Sequence, residues 1–121
     1  MKQFDIIRAF NTLEALSNKK ITDEAQWNIF KLRKSLLPHV EFFNERLDAI
    51  KDRYRPFADE NENITGEKFH EFMSEFDELK NMDKELDIKK FTLTLTGETG
   101  ITAMEMETLD SFIDFEFAQN P

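Results

Sequence analysis

Ile6, Phe10, Leu13 and Leu16 recur at spacings of four, three and three near the start of the chain, with Phe4 and Ile7 beside them. That is the period of an amphipathic helix with one face on a core. Ser17-Asn18-Lys19-Lys20 then brings poor helix formers and a basic last turn, which predicts its end. Thr22 is placed to cap a second helix, with Asp23 and Glu24 in the first turn where negative charge is favoured. From there to about Arg55 the chain has no Gly and reads as helix throughout. Val40, Phe43, Leu47, Ile50, Tyr54 and Phe57 follow a 3-4-3-4-3 spacing, and Trp27, Phe30 and Leu37 extend that stripe upstream. A seam this regular asks for a second helix to pack on. Pro38 interrupts it, which predicts a kink, or a break into two helices, near residues 35–37.

Residues 58–64 are a polar loop. Thr65 is the expected N-cap of a third helix, with Ile64 and Phe69 as a hydrophobic staple. Phe69, Phe72, Met73, Phe76 and Leu79 mark its expected buried face. After Asn81 the period changes to two. Phe91, Leu93 and Leu95 alternate with Thr92, Thr94 and Thr96, and Ile113, Phe115 and Phe117 alternate with Asp114 and Glu116. Two short strands are predicted. Ile88 is out of phase with the first, which predicts a bulge or a late strand start. Thr102-Ala-Met-Glu105 has the form of a capping box, with Ile101 and Met106 as its staple, so a short helix joins the strands.

The expected fold is mainly α with a small β part (α+β). It is a helical hairpin or three-helix core with a long Pro-interrupted second helix, carrying a C-terminal two-stranded antiparallel β element that encloses a short helix. One domain is expected over 1–121: helices one and two in 1–57, helix three in 65–82, and a strand-helix-strand appendage in 86–118. A two-stranded sheet is marginal alone, so its apolar face must dock on the helices.

Composition narrows the function. The 121 residues are 40% apolar, and 13 of the 15 aromatics are Phe, enough for one well-buried core. Zero Cys excludes disulfides, thiol catalysis and thiolate metal sites, and is compatible with a reducing cytosol. No apolar run approaches a membrane span, and the first residues lack the apolar stretch of a signal peptide. The net charge is −9, divided into +3 over residues 1–58 and −12 over 59–121. Such a molecule repels nucleic-acid phosphates and anionic membranes unless its basic part faces them alone.

Catalytic signatures are weak. His39 and His70 have no second His or Cys at ligand spacing. Ser17, Ser35, Ser74 and Ser111 sit in helical or helix-end contexts without a nucleophile elbow. Asp59-x-Asn61-x-Asn63 matches the first ligand positions of a calcium loop. The sequence then places Ile64 where Gly is needed and His70 where the closing Glu is needed, so an ordinary Asx-rich connection is expected. No cofactor is implied, and an enzyme is not expected. Lys31, Arg33 and Lys34 form a small basic cluster with Lys31 and Lys34 on one face, but the net charge opposes direct DNA or RNA binding.

Other features bear on partners. Asp59, Glu60, Glu62, Glu67, Glu71, Glu75 and Glu78 form an acidic set, and the last four recur at spacings of four, four and three along the third helix. Like charges so spaced are mildly unfavourable, so the set reads either as a solvated face or as a surface for a basic protein partner. The alternatives are a self-assembling component that uses the Val40, Phe43, Leu47, Ile50, Tyr54, Phe57 seam, and an acidic DNA mimic.

The order of features carries a resemblance. Phe-x-Ile-Ile-x-x-Phe-Asn-x-Leu-x-x-Leu (Phe4 to Leu16) precedes a long helix interrupted at Leu36-Leu37-Pro38. Arg53-Tyr54, an Asp-Glu-Asn loop at 59–61, Phe69-x-x-Phe-Met-x-x-Phe-x-x-Leu79, an apolar strand and Ala103 to Ile113 follow. This resembles a group of small uncharacterised proteins of tailed phages and prophages of Gram-positive bacteria. The resemblance implies a helix-rich viral protein in the bacterial host cytoplasm or associated with the virion. It assigns no site residues. The function expected from it is non-enzymatic docking on a host or virion protein, as an inhibitor of host defence or an accessory assembly factor.

Overall fold

The computed structural model describes residues 1–118. The chain is mostly helical, with α1 (Gln3–Ser17), α2 (Asp23–Tyr54), a single 3₁₀ turn (Arg55–Phe57), α3 (Gly66–Lys80), β1 (Phe91–Leu95), α4 (Ala103–Leu109) and β2 (Ile113–Phe117). No described helix is long and apolar enough to cross a membrane.

The long helix α2 serves two separate cores. Its first half contributes Ala25, Ile29, Leu32 and Leu36 to a core shared with Ile6, Ala9, Leu13 and Leu16 of α1. Leu93 and Leu95 of β1, Leu109 of α4, Phe112 and Ile113 complete it. The strand-helix-strand unit thus docks its apolar face on the helices and forms a wall of the main core. The second half of α2 gives Phe43, Ile50 and Tyr54 to a smaller core with Leu79 of α3, flanked by Ile7, Leu47, Phe72 and Phe76. Here the rings meet edge and face: Tyr54 stands edge-on to Phe72 at 5.7 Å, and Phe72 stacks on Phe76 at 6.3 Å. Leu79 is the one buried residue of α3.

The upstream stripe lies on a different face from the one the sequence suggests. Trp27 and Phe30 are 58% and 55% exposed, and Leu37 is 41% exposed. The buried positions 25, 29, 32 and 36 continue through Val40 into the lower seam at helical spacing, and α1 packs on them. Both sets have the helical period, so periodicity alone does not choose between them. Phe57, the last member of the seam, is also exposed.

Pro38 does not break α2, which runs without interruption from Asp23 to Tyr54. The missing N–H of Pro38 frees the Lys34 carbonyl. Lys34 and Pro38 are both exposed, so that carbonyl faces water and the helix carries on. One residue later, the fully buried Gln3 donates from Nε2 to the His39 carbonyl at 2.7 Å and ties the start of α1 to the middle of α2.

The two strands are parallel, with Phe91 opposite Ile113 and Leu95 opposite Phe117, and not antiparallel as expected. The connection 96–112 carries α4 and returns the chain to the starting end of the sheet. A crossover of a dozen or more residues through a helix is the connection that parallel strands need, whereas a tight hairpin joins antiparallel ones. Strand β1 starts late, at Phe91, and Ile88 packs against the core just before it.

Caps follow the sequence in two of three helices. Thr22 accepts from the Ala25 N–H at 3.1 Å. Thr102 and Glu105 form the reciprocal capping box, at 2.9 and 3.1 Å. Thr65 makes no side-chain cap. Gly66 adopts a left-handed φ of 69°, which turns the chain away between Thr65 and the first helical amides. Phe69, expected on the buried face of this helix, is 43% exposed.

Candidate functional site

The acidic set is dispersed in its roles. Asp59 turns back on its own loop, where its Oδ1 accepts from the Asn61 and Asn63 N–H groups at 2.8 and 3.0 Å. The carboxylate that would open a calcium loop is thereby an Asx-turn acceptor. Glu71 pairs with Lys68 at 3.1 Å, one turn away. Glu75 is the most engaged: Arg53 reaches it at 2.8 Å from α2. Its interaction with the Tyr54 hydroxyl, supported by Arg53, holds the Glu75 carboxyl below the usual carboxylate range against the opposing effect of burial. The same contact, with burial, raises Tyr54 above the usual phenol range. No hydrogen bond of good geometry reaches the buried Glu75 Oε2. Glu60, Glu62, Glu67 and Glu78 are exposed and form no ion pair among the described residues.

Arg46, Arg53, Glu75 and Glu78 edge a groove of about 450 Å³ between α2 and α3, over Ile50 and Leu79. Its charges are balanced two against two. The seam beneath, Phe43, Ile50 and Tyr54, is buried in this chain alone, with Val40 and Leu47 half-buried, so those side chains are core and not a free surface for a second copy.

Glu105 lies at the other end of the molecule. Burial raises its pKa, but the backbone and side chain of Thr102 and the Lys19 ammonium at 3.4 Å outweigh it and leave the group lowered. Lys19 also donates to the Gly100 carbonyl at 3.1 Å, fastening the loop before α4 to the end of α1. Both lowered carboxylates predict the same pH response. The unfolded chain takes up their protons first, so stability is complete above the ordinary carboxylate value near 4.5 and falls as pH drops through the folded values. Denaturation midpoints measured from neutral to acidic pH should show that decline. Glu105→Gln, which can still complete the capping box, and Glu75→Gln should each make the decline shallower.

The surface that stands out is the outer face of α2. The Trp27 and Phe30 rings stack on each other at 5.5 Å, and the Lys31 ammonium lies 5.8 Å from the Trp27 ring. Leu37 continues the face two turns on, and Lys34 lies within it. Within the basic cluster, Arg33 leaves that side and covers the half-buried Phe10 ring at 4.7 Å, while Lys31 and Lys34 remain exposed together. Spacing puts Trp27, Phe30 and Leu37 on the seam expected to pack on another helix, whereas the fold leaves all three exposed. The available signal was that α2 carries two apolar faces over residues 25–37, and one helix of this fold buries only one.

Comparison of the chain with family models, with curated proteins and with solved structures gave no match.

Proposed function

We propose that this chain is a non-enzymatic interaction protein that docks on another protein through the Trp27, Phe30 and Leu37 face of α2. The supporting observation is the exposure of three large apolar side chains on one rigid helix, outside both cores. Fully burying such a side chain is worth about 1.5–3 kcal/mol, and Trp is enriched among the residues that dominate binding energy. Each ring already holds the other in place, so little rotamer freedom is lost when a partner covers the pair. At the far end of α2 the exposed Phe57 carries the Lys68 ammonium 4.6 Å from its ring.

With the resemblance to phage proteins, the partner is a host or virion protein, and the activity is inhibition of a host defence or help in assembly. Glu60, Glu62, Glu67 and Glu78, whose carboxylates are unpaired among the described residues, favour a second reading in which a basic protein binds the acidic end. One capture experiment separates the two. The double variant Trp27→Ala/Phe30→Ala should lose a partner that wild type retains, and Glu60→Lys/Glu67→Lys/Glu78→Lys should keep it. The reverse pattern would place docking at the acidic end.

A further inference from the structure

Lys31 belongs to two features at once. It lies over Trp27, and it lines a groove of about 320 Å³ between α2 and the segment leading into β1. Leu32, Ile88 and Phe91 give the groove an apolar lining. Lys31, Lys89 and Lys90 supply its charge, against the single carboxylate of Asp87. Lys90 shares Asp114 at 3.4 Å. Lys31, Lys34 and Lys89 enter no ion pair among the described residues. This is a locally positive, apolar-floored surface on a molecule whose net charge is −9.

We infer that the groove and the adjoining aromatic pair together take an acidic amphipathic segment of a partner protein. An apolar side chain of that segment packs on Leu32, Ile88 and Phe91 while its carboxylates meet Lys31, Lys34 and Lys89. The inference rests on the docking role proposed for Trp27 and Phe30 and adds the chemistry of what docks. Charge complementarity selects this occupant: unpaired ammonium groups beside an apolar floor favour carboxylates flanking an apolar anchor. A nucleic acid fits less well. It brings a phosphate with every nucleotide against the acidic remainder of a molecule whose net charge is −9.

The test is selection of a random peptide display library on the immobilised full chain. Enriched sequences should carry Asp or Glu around apolar residues at helical spacing. The corresponding synthetic peptides should bind wild type and bind Lys31→Glu/Lys89→Glu at least about tenfold more weakly. Enrichment of basic or uncharged sequences, failure to enrich any, or binding indifferent to the two substitutions would overturn the inference. So would capture of oligothymidylate in preference to the enriched peptides. If peptides lose binding on Trp27→Ala/Phe30→Ala but ignore the lysine reversals, the docking face stands and the acidic chemistry falls. If binding survives the aromatic variant, the docking face itself falls.

Discussion

Leu36→Ala is expected to lower the unfolding free energy by about 2–5 kcal/mol, while Leu37→Ala changes it by about 0.5 kcal/mol or less. The chemical change is the same, and the positions are adjacent on one helix. Leu36 is fully buried in the core that α2 shares with α1 and β1, so truncation leaves a cavity that the packed surroundings close only in part. Leu37 is 41% exposed and belongs to the outer face, and Ala is a good helix residue. Urea denaturation of the two variants reads the rotational register of α2 directly. Equal losses would mean that the outer face is packed after all. A larger loss at Leu37 would mean that the helix is turned by one position.

The second large effect is on binding. Trp27→Ala/Phe30→Ala should weaken capture of the physiological partner by about thirtyfold or more, in line with about 2 kcal/mol or more for a truncated hot-spot residue. The stability of the free chain should hardly change, because neither ring belongs to a core. The two substitutions are in contact and will not add, so each single variant is informative. Titration calorimetry with the captured protein gives the affinity, and circular dichroism shows that the helices persist. Lost stability with unchanged affinity would identify the face as structural.

Much of the fold was legible because long, strongly periodic segments leave little choice. The bounds of α1, the caps at Thr22 and Thr102, and the alternation in β1 each rest on local signals that the tertiary structure does not oppose. What was not legible depends on which neighbour a residue meets. Residues 25–37 have apolar side chains on two faces of one helix, and only the position of α1 decides that the smaller set, Ala25, Ile29, Leu32 and Leu36, goes inside. Strand direction is similarly non-local: alternation fixes the face of a strand but not its sense, and the connection through α4 makes the pair parallel. Pro38 interrupts the pattern but not the helix, because the freed carbonyl happens to lie on the wet side. The acidic positions were easy to count, yet their partners were not visible in the spacing. Arg53 and Tyr54, on another helix, meet Glu75, and Asp59 is consumed by its own loop.

The Trp27 face is exposed in the isolated chain, and docking would cover it. Trp27 is the only tryptophan of the sequence, so its fluorescence reports that face alone. The most direct measurement is therefore the emission spectrum and its quenching by acrylamide, with and without the captured partner. The free protein at low concentration should show the red-shifted, readily quenched emission of a water-exposed indole. Partner addition should bring a saturable blue shift and protection from quenching. Emission already blue and protected in the dilute free chain, or emission that does not respond to a partner shown to bind, would contradict docking through this face.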